Sequence, residues 1–356
     1  MLRKGTFILM KTKIQDMTSG SPGRLIILFA IPLMLGNICQ QLYTMVDTMV
    51  VGQVAGVEAL AALGAVDFLM WVVTGISTGL TQGFSIQLSQ YYGAKDFENL
   101  RKSLAHSYRL TAFIAAGVLI LSQSFASLVL TGLHTPSNII GMSLLYLRII
   151  FCGIPATAAY NMFASALRAM GNSKTPLTAM IIASVLNVSL DILFVAGFGW
   201  GVAGAAIATV IAQSFSAVYC FLILRRIDIV HLTRADFMPA SGMNARLMKL
   251  GIPVVFQNII IGVGGLVVQY VINGYGFLFV AGFTATNKLY GLLEMAAISY
   301  GYAIVTYVGQ NLGAGKIDRI RKGVRSSMLL SLLTSLIISA AMFLFGKNIL
   351  SLFISG

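Results

Sequence analysis

Nine long apolar runs dominate the sequence, at residues 24–50, 59–90, 107–131, 139–165, 177–197, 202–224, 246–273, 280–312 and 327–353. A helix needs about 20 residues to cross a bilayer core of roughly 30 Å, and each run supplies that length. The runs do not alternate in polarity and far exceed the about 9–11 residues of a barrel strand, so helices are expected. Composition agrees: 57% of residues are hydrophobic and 10% charged, with a mean hydropathy of +0.86. A soluble domain carries about 25% charged residues. Too little polar surface remains to cover a soluble particle. A cytoplasmic enzyme, a nucleic-acid-binding domain and a disordered chain are excluded, and the basic residues form no single soluble patch. The expectation is an all-α, polytopic membrane protein in contact with the lipid bilayer and with no nucleic-acid partner.

Reactive side chains are sparse. Cys39, Cys152 and Cys220 lie far apart inside apolar runs and read as buried small hydrophobes. His106, His134 and His231 sit at separate loops or loop edges, and no His/Cys spacing resembles a metal site. HExxH and Walker A patterns are missing, so the chain is read as neither an enzyme nor an ATP-driven pump, with no cofactor. The apolar patch at 7–10 is too short for a signal-peptide core, and 24–50 is read as a retained first span. Met17-Thr18-Ser19-Gly20 reads as an alternative start, with 1–16 an upstream extension.

Charge then sets the orientation. The N-terminal segment and every second gap carry the basic residues: Arg3, Lys4, Lys11, Lys13 and Arg24; Lys95, Arg101, Lys102 and Arg109; Arg168 and Lys174; Arg225, Arg226, Arg234, Arg246 and Lys249; Lys316, Arg319, Arg321, Lys322 and Arg325. Those are 21 of the 24 Lys and Arg residues; the gaps at 52–58, 132–138, 198–201 and 274–279 hold none. The positive-inside rule makes the basic side cytoplasmic and places the N-terminus there, in a multi-pass protein of the cytoplasmic (inner) membrane. The net charge of +13 is an orientation signal and requires no acidic partner.

The chain also repeats itself. Ala30-Ile31-Pro32-Leu33-Met34-Leu35-Gly36-Asn37 opens the first span, and Gly251-Ile252-Pro253-Val254-Val255-Phe256-Gln257-Asn258 opens the seventh. Gly93-Ala94-Lys95-Asp96 follows the second span, and Gly313-Ala314-Gly315-Lys316 follows the eighth. The two anchors agree in spacing to within one position, aligning Pro32 with Pro253 and Gly93 with Gly313. Both halves start on the same side, which is a parallel repeat about an axis along the membrane normal, a transporter architecture. The division expected is a cytoplasmic segment 1–23, a first lobe 24–225 of six spans, a cytoplasmic loop 226–245, and a partial second lobe 246–356 of three. By the repeat, Gly356 corresponds to Pro136, so nine of twelve expected spans are present and the chain is read as truncated at its C-terminus.

Polar residues inside spans are costly and by default mark function. Asn37, Gln40, Gln41, Thr44, Asp47 and Thr48 recur at spacings of three and four, on one stripe of the first helix. Asn187 and Asp191 share a face of the fifth span. A carboxylate beside an amide suits Na⁺ or a proton. Glu294 lies mid-way along the eighth span, as a candidate for substrate or proton binding. Asp67 and Lys288 lie early in their spans and read equally well as paired or snorkelling groups. Asp47 corresponds to Val268 in the repeat, so a coupling-ion site belongs to the first half.

These residues resemble the multidrug and toxic compound extrusion (MATE) family, nearest its DinF/MepA-like branch. The resemblance rests on Ile31-Pro32 with Asp47, Val46-Asp47-Thr48-x-x-Val51-Gly52, Gln90-x-x-Gly93-Ala94 and Ala166-Leu167-Arg168-Ala169-x-Gly171-Asn172. It rests also on Asn187-x-x-x-Asp191 and Gly309-Gln310-Asn311-x-Gly313-Ala314. It implies a two-lobe bundle of twelve helices around a central cavity, with alternating access driven by H⁺ or Na⁺ and export of organic cations by antiport. It implies an ion or proton site at Asp47, Asn187 and Asp191, with Asn161 joining it, and a second-lobe acid at Glu294. Gln40, Tyr43 and Thr44 are the further substrate contacts expected, Pro32 and Pro253 the hinges, and a monomer the working unit. Gln257 and Asn258 stand where another branch carries Glu, so no second-lobe Na⁺ site is expected. The alternative is a lipid-linked oligosaccharide flippase of related architecture; a passive channel is the third class.

Overall fold

The computed structural model describes residues 14–133, 135–273 and 277–351, with the side chains of 68, 266, 269–270, 272–289, 292–293 and 345–351 left aside. His134, and the side chains of Lys288 and Lys347, lie outside that description, as do Arg3, Lys4, Lys11 and Lys13. Among the described residues the apolar runs form ten α-helices: α1 (Pro22–Val54), α2 (Val57–Gly93), α3 (Phe97–Gly132), α4 (Ile140–Cys152), α5 (Ile154–Ala169), α6 (Lys174–Asp191), α7 (Gly201–Leu224), α8 (Met243–Asn273), α9 (Phe277–Gly313) and α10 (Ile317–Ser351). Among the described residues six helices are long and apolar enough to cross a membrane, and two bent pairs supply two more. The eighth run, 280–312, falls within α9.

Besides the run at 59–90, bent by 42° within α2, two runs differ from simple spans. The run read as 139–165 is α4 and α5, bent by 46° at Gly153. Pro155 lies in the first turn of α5, where its missing N–H costs nothing, and a Cβ on Gly153 would stand 2.7 Å from Val210 Cγ2. The run at 177–197 is helical to Asp191 and then widens into a π-helical turn, Ile192–Gly197. Such turns are rare and cluster at functional sites. Pro32 and Pro253 both lie inside their helices, α1 and α8.

The repeat is visible in backbone detail. At the α2–α3 turn, Ala94 N–H donates to Gln90 O (2.9 Å), Lys95 to Tyr92 O (3.1 Å) and Asp96 to Tyr91 O (3.0 Å). At the α9–α10 turn, Ala314 donates to Gln310 O (3.0 Å), Gly315 to Leu312 O (3.0 Å) and Lys316 to Asn311 O (2.8 Å). Lys95 and Gly315, which are equivalent positions of the repeat, both have positive φ, 58° and 70°. The helices pair accordingly: α2 packs on α8, its counterpart α9 packs on α1, and α2 crosses α9. All three contacts meet at the end of the bundle where the basic gaps lie.

The buried residues fall into three clusters. One fills the basic end within α2, α3, α5, α6 and α7, reaching Leu247. A second fills the opposite end around Val66, Leu130, Phe151 and Val195. The third joins α1 to α9 through Phe29, Ala30, Leu33, Tyr300, Ala303 and Tyr307. Outside them the surface is apolar; Phe113, Ile260, Ile337 and Phe343 are among many large hydrophobics left bare. In water such a surface would aggregate, whereas hydrocarbon covers it, and helical bonding satisfies the backbone within each span.

Candidate functional site

The polar stripe of α1 splits into two kinds of residue. Thr44 and Thr48 return their hydroxyls to backbone carbonyls one turn back, at Gln40 O (3.0 Å) and Thr44 O (2.8 Å). That satisfies them locally. Asn37 reaches across to the other half and donates to Ser299 Oγ on α9 (3.1 Å). Asp47 is different: it is 5% exposed, and its buried Oδ1 has no hydrogen-bond partner.

The fifth-span pair repeats that condition more severely. Asn187 and Asp191, four positions apart on α6, are both 0% exposed. Neither amide atom of Asn187 and neither carboxyl oxygen of Asp191 is hydrogen-bonded. Helix α1 packs along α6, which brings Asp47 into electrostatic reach of Asp191. Asp67 of α2 also lies within reach of Asp47. Buried polar groups are nearly always paired, and each exception calls for an explanation. Here the unpaired atoms concentrate on three adjoining side chains, which offer oxygens from two carboxyls and an amide. Oxygen donors of this kind suit a hard monovalent cation, and carboxylates suit protons. Among the described residues, no salt bridge involves any of the three.

Of the other candidates, the structure brings Tyr43 near the trio. Its hydroxyl accepts from Gln213 Nε2 of α7 (3.4 Å), and its ring is within reach of Asp47. Gln40 is exposed one turn earlier on the same helix. Asn161 on α5 donates to Thr78 Oγ1 of α2 (3.3 Å) rather than to the trio. Glu294 is exposed on α9, in the other half of the chain. Pro32 and Pro253 sit in helices that cross the seam between the halves, where a Cβ on Gly83 would collide with the Gly251 backbone.

Two residues of this neighbourhood escape the sequence reading. Gln213 bonds Tyr43 and leaves its own Oε1 buried and unpartnered. Its signal is legible in retrospect: it is the single amide in an otherwise apolar and hydroxyl-bearing run. Tyr146 of α4 is buried within electrostatic reach of Asp47, Asp67 and Asp191, and nothing in its sequence surroundings marks it. Among the described residues, no group of three or more His, Cys, Asp and Glu could hold a metal ion.

Comparisons with known proteins agree with this architecture. The MatE family model matches residues 32–193 and 253–356, two segments that begin on the repeat-related prolines Pro32 and Pro253. The probable multidrug resistance protein YpnP of Bacillus subtilis is 31% identical over 343 residues, covering 96% of this chain and 77% of that protein. The multidrug export protein MepA of Staphylococcus aureus is 21% identical, covering 91% of this chain and 72% of that one. Among solved structures, a MOP superfamily transporter from Pyrococcus furiosus superposes with a TM-score of 0.91 at 23% identity, covering 97% of this chain and 77% of that chain. An outward-facing multidrug resistance MATE family transporter gives a TM-score of 0.88, also at 23% identity, covering 95% of this chain and 75% of that one.

Proposed function

The chain belongs to the MatE family of membrane transporters, and on that premise we propose that it exports organic cations by antiport against H⁺ or Na⁺. The observation that carries the reading is the trio Asp47, Asn187 and Asp191, buried together with Asp47 Oδ1, Asn187 Oδ1 and both Asp191 oxygens unpaired. Isolated buried carboxylates are costly, so a proton or a small cation must neutralise them when water is excluded. A cationic substrate competes with that proton or ion, directly or through the conformation of the first lobe. Tyr43, Gln40 and Thr44 line the approach on α1, Asn161 borders the site on α5, and Glu294 supplies negative charge from the second lobe.

The division into lobes at 24–225 and 246–356, joined by 226–245, gives alternating access a physical basis. The lobes rock about the seam formed by α1, α2, α8 and α9, with Pro32 and Pro253 as the points where backbone bonding is already interrupted. The basic end faces the cytoplasm, the N-terminus lies inside, and a single chain in the cytoplasmic membrane is the transporting unit. A flippase for lipid-linked oligosaccharides would need cations where this site carries acids.

Ethidium transport by proteoliposomes, with pH and Na⁺ gradients imposed separately, tests the reading. One of the two gradients is expected to drive accumulation above equilibrium. Flux that equilibrates the dye equally under either gradient or none would mark a passive pathway and overturn antiport.

A further inference from the structure

The basic end of the bundle is sealed by two segments that precede the first helix of each half. Residues 15–20 lead into α1. Their backbone lies on the α9–α10 turn of the other half: Met17 O accepts from Asn311 Nδ2 (2.9 Å), Gly20 O from Arg319 Nη1 (2.9 Å) and Thr18 O from Lys316 Nζ (2.9 Å). Met17 N–H donates to Gln310 Oε1 (3.0 Å). On its other side the segment is fixed to its own half, where Gln15 N–H donates to Gly171 O (3.1 Å) and a Cβ on Gly171 would collide with Gln15 O. Gln310 Nε2 completes the sandwich by donating to Ala169 O (2.8 Å).

Residues 236–242 lead into α8 and, with its first turn at 243–246, lie on α2 and α3 of the first half. Met238, the counterpart of Met17 in the repeat, has its carbonyl 3.0 Å from His106 Nε2. His106 Nδ1 lies 2.7 Å from Asn244 Oδ1, Arg109 Nη1 donates to Phe237 O (2.9 Å), and Arg246 Nη1 donates to the Tyr91 hydroxyl (3.2 Å). Gln87 Nε2 meets Met243 Sδ (3.0 Å), and Arg101 pairs with Asp236 (3.8 Å).

We infer that these two segments are reciprocal straps, each belonging to one half and clamped by the other, and that both must release before the basic end can open. The first clamp acts on strap backbone at Met17, Thr18 and Gly20, whereas the second engages the carbonyls of Phe237 and Met238 together with the side chains of Asp236, Met243, Asn244 and Arg246. The arrangement also makes opening all-or-none. Separation of the halves tears both sets of hydrogen bonds at once, since each strap bridges the seam. Between the straps lies the α1–α9 contact, where Ala303 is fully buried against Ala30 and its neighbours.

The inference concerns which end opens and how, and stands apart from the cargo. Ala303→Cys, in a protein with Cys39, Cys152 and Cys220 replaced by Ala, is labelled with a membrane-impermeant maleimide added from the basic side. Arg319→Ala removes its hydrogen bonds to Gly20 O and Met17 O and is expected to raise the labelling rate by at least about tenfold, the ratio that losing one charged hydrogen bond corresponds to. Thr18→Cys with Lys316→Cys, joined by a short bismaleimide in an Ala303 protein, is expected to abolish ethidium export. Unchanged labelling in Arg319→Ala together with unimpaired export after cross-linking would overturn the straps. If labelling responds as expected but no variant, cross-linked or free, exports the dye, the straps stand and the cargo assignment falls.

Discussion

Gly93 of α2 and Gly313 of α9 are packed into one another's helices. The carbonyl of Gln310 occupies the place a side chain would take on Gly93, and the carbonyl of Gln90 does the same at Gly313. Each glycine thus lies against the glutamine one turn before the other, and the repeat relates the two contacts. The crossing is a two-fold contact in which neither backbone can retreat, because Ser89 also lies against Gly309.

It follows that Gly93→Ala or Gly313→Ala separates the helices and destabilises the bundle by about 1–3 kcal/mol, the usual cost of overpacking. Gly117→Ala on α3, where a Cβ meets nothing within 4 Å, is the matched control and should be neutral or slightly stabilising. Thermal unfolding of detergent-purified protein reads the difference. Equal Tm values for the Gly93 and Gly117 variants would contradict the close crossing.

Asp16 makes the strap before α1 sensitive to acid. Burial pushes its carboxyl up, but hydrogen bonds from Thr18 N–H, Thr18 Oγ1 and Ser19 Oγ, with the charge of Lys316, outweigh that and hold it below the usual carboxylate range. A depressed folded value stabilises the native state above the unfolded pKa of about 3.9, and that contribution is lost as pH falls through the folded value. Asp16→Asn should therefore flatten the acid limb of a Tm-against-pH curve and leave the neutral region's slope unchanged. An acid limb identical to wild type would remove Asp16 from the strap's stability.

Gln213→Leu tests the residue that sequence reasoning overlooked. It removes the hydrogen bond to Tyr43 while filling similar space, and should weaken ethidium export roughly 3–10-fold, the range of one neutral hydrogen bond. Protein amount and Tm should hold near wild type. Full export activity would confine Gln213 to packing.

Much of the architecture is readable from the residues because the bilayer imposes a length and an apolarity on every span. The nine runs, the repeat and the adjoining acids of α1 and α6 all follow from that constraint and from helical periodicity. The break at Gly153 is hidden inside a continuous apolar run, because hydropathy does not register that Val210 leaves no room for a Cβ. Tyr146 is missed for a related reason: its distance in sequence from Asp47 and Asp191 conceals a meeting made by packing α4 on α2 and α7, which in turn contact α1 and α6. The straps are also invisible in sequence, since the first is held through its backbone and the second by partners more than 130 positions away. Asn161 illustrates the converse: its residue type suggests the ion site, while on α5 its amide donates to Thr78 Oγ1.

Replacement of Asp191 by Asn tests the central claim most directly. Asparagine keeps the volume of the side chain and removes its charge and its proton. Proteoliposomes containing the variant, under whichever gradient drives ethidium accumulation by the wild type, should show no gradient-dependent accumulation, with insertion and Tm retained. Accumulation at the wild-type rate would contradict coupling at Asp47, Asn187 and Asp191.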